Sequence, residues 1–186
     1  MNAIDVIEGD VSVLDRADVD TDQIIPKQFL KRIERTGFGE YLFYDWFRDG
    51  EITLEPNPVL VAGANFGSGS SREHAVWALA DYGFEAIIAP SFSDIFYANA
   101  TKNGLLPVIL PSEHCRGIAE SGRVRIDLDE LTVDYAGGVV EFEVEEDIRH
   151  RLLNGHDEIS ITLQNADAIS AYERDRETEA PATTSL

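Results

Sequence analysis

The chain has 186 residues, enough for one ordinary domain with a core of its own. Its 35 acidic residues outnumber 15 basic ones and give a net charge of −20, which argues against nucleic acid and anionic membranes as partners. No run approaches the roughly 18 apolar residues of a membrane span, and MNAIDVIEGD lacks the basic and apolar parts of a signal peptide, so a soluble, cytoplasmic protein is expected.

Only Lys27, Lys31 and Lys102 are lysines. An acidic chain poor in lysine points to life at high salt, since at ~1 M ions the Debye length falls to about 3 Å and self-repulsion is screened. The plainer reading is an acidic protein of an ordinary cytoplasm. Cys115 is the sole cysteine, so no disulfide closes within the chain and no CxxC pair exists to hold zinc or an iron–sulfur cluster. Within SEHCRGIAE it reads as a partly buried small residue rather than a reactive thiol.

In chain order, the opening third looks irregular, with a short apolar alternation near Val11 to Leu14. Pro26 then fits the first turn of a short helix running through Phe29 and Ile33. The segment Phe38 to Phe47 carries six aromatics with no clean period and reads as a packed loop. From Pro58 the pattern turns regular: a buried strand at Val59 to Ala62, the loop GANFGSGS, and a helix from Ser71 to Tyr82 closed by Gly83. A second strand at Ala86 to Ala89, a helix at Asp94 to Asn103 ended by Gly104, and a third strand at Leu105 to Leu110 follow. Apolar strands separated by helices imply a parallel sheet covered on both faces.

After Ser121 the period becomes two in VRIDL, LTVDY and VVEFEV, with a hairpin turn at Gly137-Gly138, which predicts an antiparallel β-layer. A short helix from Glu146 to Leu153 ends at Gly155, and Ile159 to Arg174 is apolar at helical spacing. The charged, then small residues of the C-terminus predict a disordered tail over 176–186 behind a domain of residues 1–175.

The densest signal is the stretch Gly63 to His74, GANFGSGSSREH, between a strand and a helix. Its three glycines permit close backbone approach and positive φ. Ser70 and Glu73 have the spacing of a capping box, which predicts a helix start with free N–H groups and a partial positive charge, a ready carboxylate or phosphate site. Arg72 then lies in the first helical turn, where a cation opposes the helix dipole unless an anion joins it, and a guanidinium can grip a carboxylate with two parallel hydrogen bonds. The alternative is an exposed arginine paired with an acidic neighbour. Neither the lysine of a P-loop nor the third glycine and distal acid of a dinucleotide fingerprint is present.

GSGSSREHA after a buried strand, with VDTDQIIPKQFL upstream and ATKNGLLP downstream, resembles the swivelling domain of the aconitase superfamily. Within it the chain is most similar to the small-subunit family of 3-isopropylmalate dehydratase, in the form with the longer GFGEYLFYDWF segment. The resemblance runs from about Asp15 to beyond Pro107 and implies an α/β fold of three layers, β/β/α: a mostly parallel sheet covered by helices plus a smaller antiparallel β-layer. It implies that Ser70 is the catalytic base, that Ser71 and Arg72 bind a substrate carboxylate, and that Asp22 is an active-site aspartate that also binds substrate. It also implies a basic residue on the early helix, for which Lys31 or Arg32 is the nearest candidate. The family's [4Fe-4S] cluster is its Lewis acid; with one cysteine here, the cluster is expected on a large-subunit partner, in a heterodimer or heterotetramer.

The expected activity is a hydro-lyase step of leucine biosynthesis on a small dicarboxylate. Alternatives are the same architecture acting on homoaconitate or methylmalate/citraconate, and a non-enzymatic carboxylate-binding domain. Substrate choice is expected in Gly37 to Phe47, where Tyr41, Leu42 and Phe43 would suit an isopropyl group. Milder readings attach to the remaining residues. His74 reads as a structural or interface histidine, Asp22 without the resemblance as the cap of a helix near Pro26, and Asn99, Lys102 and Asn103 as shaping the helix end before Gly104.

Overall fold

The computed structural model describes residues 1–31 and 36–179. Three runs of four residues, Val59–Ala62 (β2), Ala86–Ala89 (β3) and Leu106–Ile109 (β4), form parallel strands. In β2 and β3 every residue is buried, as the unbroken apolar runs predict for strands covered on both faces. Strand β1, Val6–Leu14, lies beside β2 and organises the whole sheet. Its second half pairs parallel to β2, Val11 opposite Val59, while its first half pairs antiparallel to β5, Arg123–Asp127, with Val6 opposite Asp127. The hairpin of β6, Thr132–Tyr135, and β7, Gly138–Glu141, continues from β5. The antiparallel strands thus extend the parallel ones through β1, in the order β4-β3-β2-β1-β5-β6-β7.

Alternation splits the core. Leu60, Ala62, Ile87 and Ala89 face one side, with helices α3 (Glu73–Tyr82) and α4 (Asp94–Lys102). Val59, Val61, Ala86 and Ile88 face the other, with α5 (Ser112–Ser121) and α6 (Glu146–Leu153).

Strand β1 is longer than the alternation near Val11 predicts. Glu8 and Asp10 break the apolar pattern in its first half, and both meet Arg123 of the neighbouring strand. Helix α5 went unread in the sequence; Pro111 precedes its first turn, Gly122 closes it at φ 73, and only Cys115 and Ile118 are fully buried. Near Pro26 the order of elements is corrected. The helical turn is α1, Thr21–Ile24, ahead of the proline, and Pro26 precedes only a 3-10 turn, Lys27–Phe29. Asp20 and Gln23 form a reciprocal capping box that starts the helix early, and Ile25, preceding proline, is extended at φ −144 and ends it. Ile33 lies outside the described residues. The C-terminal segment forms α7, Glu158–Leu163, and α8, Ala166–Glu179, which passes Arg176, where the tail was expected to begin.

The aromatic segment folds into a 3-10 turn, Gly39–Tyr41, and helix α2, Tyr44–Arg48. Phe38, Leu42 and Phe43 are fully buried in this chain's own core, so the expected role of Leu42 and Phe43 against a substrate is withdrawn. Truncating Leu42 to Ala is expected to cost about 2–5 kcal/mol in a urea titration, the range for a buried large-to-small change. A Leu42→Arg chain should fail to fold rather than change its substrate preference, because the guanidinium would have no water or partner in that site.

Candidate active site

Two of the loop's glycines, Gly67 and Gly69, adopt φ 76 and 90, conformations that side chains rarely take. A Cβ on Gly67 would stand 2.1 Å from Phe96 Cγ, so only glycine lets the loop pass over α4. Such a loop has little stiffness of its own, and its shape comes from outside. The segment ahead of α1 supplies most of the braces: Gly67 and Ser68 N–H donate to the Val19 carbonyl at 2.8 and 3.1 Å, and Thr21 N–H donates to the Ser68 carbonyl at 2.9 Å. The Thr21 hydroxyl donates to the Ser70 carbonyl at 3.0 Å. From the same segment Asp18 Oδ1 accepts from Asn65 Nδ2 at 2.8 Å, and on the far side the Ser93 hydroxyl donates to the Gly67 carbonyl at 2.6 Å.

Helix α3 begins at Glu73, two residues later than predicted. Arg72 occupies the cap position in an extended conformation and no side chain caps the first turn, so the Ser70–Glu73 capping box does not form. The physical reason is the brace: with its carbonyl accepting from Thr21, Ser70 stays part of the loop and cannot begin the helix. Ser70 and Ser71 are exposed, and Asn99 Nδ2 reaches Ser71 Oγ at the 3.5 Å limit of a hydrogen bond.

Arg72 is almost entirely buried, with 11% of its side chain exposed. Its Nη1 donates to Asp22 Oδ1 and its Nη2 to Asp22 Oδ2 at 3.2 Å, a two-pronged grip across 50 residues. Lys27 Nζ lies 3.4 Å from the same carboxylate, which is 41% exposed. Asp22 is therefore held by cations and does not cap a helix; that task falls to Asp20. The Arg72 hydrogen bond, opposed by burial and helped by the charges of Arg72 and Lys27, holds the Asp22 carboxyl below its ordinary value.

All four residues singled out in the sequence thus sit on two adjoining segments, 20–24 and 67–73. Lys31 is exposed, and Arg32 lies outside the described residues. Thr21, Lys27 and the Asp18–Asn65 clamp were missed, although the spacing Asp20-x-x-Gln23 carried the signal for the helix turn that presents Thr21. His74 packs between Phe38, 5.3 Å away edge-on, and Trp77, 4.7 Å away. Burial pushes its imidazole down, so it is neutral at pH 7, as a packing histidine should be. Asn103 caps α4 and accepts from Trp77 Nε1 at 2.9 Å.

The fold and the glycine–serine–arginine loop define a domain of the aconitase C-terminal class. Residues 51–113 match the Aconitase C-terminal domain family, and residues 158–184 match the family of the C-terminal domain of the 3-isopropylmalate dehydratase small subunit. The chain is 49% identical to the 3-isopropylmalate dehydratase small subunit of Rubrobacter xylanophilus, over 95% of this chain and 96% of that protein. It is 51% identical to the small subunit of the same name from Rhodopirellula baltica, over 95% and 100%. A crystal structure of 3-isopropylmalate dehydratase from Methanocaldococcus jannaschii superposes with a TM-score of 0.69 at 30% identity, covering 90% of this chain and 99% of that one. This chain belongs to the 3-isopropylmalate dehydratase small-subunit family.

Because the folded Asp22 carboxyl is depressed, the stability it contributes is present above about pH 4, its unfolded range, and is lost as pH falls through the folded value. Asp22→Asn should lower unfolding stability at pH 7 by about 1 kcal/mol, discounted because the carboxylate is partly solvated. Urea titrations from pH 7 downward should show that difference closing as the wild-type carboxyl takes up its proton.

Proposed function

We propose that this chain is the small subunit of a 3-isopropylmalate dehydratase, interconverting 2- and 3-isopropylmalate by dehydration and rehydration in leucine biosynthesis. The observation that carries this reading is the loop that presents Ser70, Ser71 and Arg72 together under external braces. The named relatives, about half identical over nearly the whole chain, support it.

Moving a hydroxyl between adjacent carbons requires removing a weakly acidic C–H proton, expelling hydroxide and holding the carboxylates still. Ser70 Oγ takes the proton in one direction and returns it in the other. A serine is too weak a base alone, and here its alkoxide would be stabilised by the Arg72 guanidinium two residues on and by the start of α3 at Glu73. In a water-excluded site such stabilisation is worth several kcal/mol, on the order of 3 for one good donor. Arg72 has five N–H donors, of which Asp22 engages two, and a substrate carboxylate takes its place on the others beside Ser71. Asp22 acts on substrate through Arg72.

Expelling hydroxide needs an electrophile. A cysteine-ligated cluster does not fit this chain: its one cysteine is buried, donates its thiol hydrogen to the Leu110 carbonyl at 3.3 Å, and is pushed up to about 11 chiefly by burial. We assign the [4Fe-4S] cluster to the large subunit. The exposure of Ser70 and Ser71 supports the same partnership, because an alkoxide facing bulk water would be protonated and only a docked partner can dry the site. Half-buried Tyr41, stacked on Phe29 at 4.1 Å, remains the aromatic segment's candidate for the wall that chooses among branched acids. The chain works in the cytoplasm, and its −20 charge fits a salt-rich one.

In the reconstituted two-subunit enzyme, Ser70→Ala should reduce turnover by about 10²–10⁴-fold while folding and subunit association stay intact. An unchanged rate would overturn the assignment. Activity of the small subunit alone would contradict the shared site, and carboxylate binding without any turnover in the pair would favour the non-enzymatic reading.

A further inference from the structure

We infer that Thr21 is a positioning residue for Ser70, setting the aim of its hydroxyl through the backbone. This rests on the proposed role of Ser70 as the base. One residue brackets the critical dipeptide: the Thr21 N–H holds the Ser68 carbonyl at 2.9 Å and the Thr21 hydroxyl holds the Ser70 carbonyl at 3.0 Å. Between those anchors lie Gly69, at φ 90, and Ser70 itself. Glycine imposes no preference on the chain, so the peptide plane following Ser70 is set by the bond its carbonyl makes. That plane sets the direction of the Ser70 Cα–Cβ bond, from which Oγ departs by one torsion, and where the Ser71 N–H begins.

Thr21 can do this because it is packed in place. Its residue exposure is 2%, and α1 is fastened behind it by Ile24 and Ile25, both fully buried. The Phe43 N–H donates to the Ile24 carbonyl at 2.8 Å, tying the same turn to the aromatic segment, while Asp20 and Gln23 close its start. Asp22, the next residue, aligns Arg72. A single helical turn thereby sets both the base and the carboxylate ligand, and Thr21 is the half of it that acts on the base.

Valine has the shape of threonine without the donor, so Thr21→Val removes one hydrogen bond and little packing, and Thr21→Ser keeps the donor. In the reconstituted enzyme, Thr21→Val should lower kcat by about 10–100-fold, the scale of a misplacement near 1 Å, with KM within about twofold, since Arg72 still holds the carboxylate. Thr21→Ser should restore kcat to within about threefold of wild type. A wild-type kcat for Thr21→Val overturns the inference, as does a Thr21→Ser enzyme as slow as the valine variant. A loss confined to thermal stability or subunit association also overturns it, because that is what a merely structural threonine would give. Ser70→Ala run in parallel separates the levels: if it turns over normally, the base assignment itself fails, whereas an inactive Ser70→Ala beside a fully active Thr21→Val rejects the role of Thr21 alone.

Discussion

A glycine-rich loop held from outside by one turn of helix is the constraint on which the rest of this structure depends. Gly67 and Gly69 permit the backbone path but give it no rigidity, and conformational freedom at such residues must be offset elsewhere. The offset comes from α1 and the residues just before it, which follow β1, while the loop follows β2. Because β1 and β2 are hydrogen-bonded neighbours in register from Val11 opposite Val59 to Leu14 opposite Ala62, their C-terminal ends emerge side by side. Sheet register thus starts Asp22 and Arg72 on adjoining segments, and the bonds from Val19 and Thr21 to the loop bring them together. Gly63 shows how close that approach is: a Cβ there would lie 2.3 Å from the Arg16 carbonyl oxygen.

Legibility in the sequence followed the strength of the local pattern. The buried runs Val59–Ala62 and Ala86–Ala89 and the helix ending at Leu153 stand where periodicity placed them, and so, within a residue or two, do the first two strands after Ser121; the last ends early, at Glu141, and its hairpin turns at Ala136-Gly137 rather than Gly137-Gly138. Helix α5 was passed over although Cys115, Ile118 and Ala119 line one face of it and pack on the core. Strand β1 escaped in its first half because cross-strand ion pairs with Arg123 replace apolar alternation there. At the site, residue types and spacing pointed to Arg72 and to a helix start beside Ser70, the family resemblance implied the roles of Ser70, Ser71 and Asp22, and neither showed how they are held. The start of α3 was misplaced because capping-box spacing is a local rule, and the bond from Thr21 to Ser70 spans 49 positions, which no local rule contains.

On the proposed reading, the site so formed is half of a shared one. It brings a base candidate, a guanidinium aligned by Asp22 and a helix start, and it leaves the two serines open to solvent. A surface of this kind suits the proposed chemistry at a junction, where a second subunit would supply the electrophile and expel water in the same docking step. The short span between α1 and the loop also means that a shift of either segment would reach the proposed base and the proposed carboxylate ligand together.

The most direct test of this account is a crystal structure of the assembled two-subunit enzyme with isopropylmalate bound. The account predicts the substrate carboxylate within about 3 Å of an Arg72 nitrogen, the distance of a charge-assisted hydrogen bond, and Ser70 Oγ within about 3.5 Å of the carbon that loses its proton. Substrate bound away from the 67–73 loop, with Ser70 facing solvent and Arg72 touching only Asp22, would contradict it.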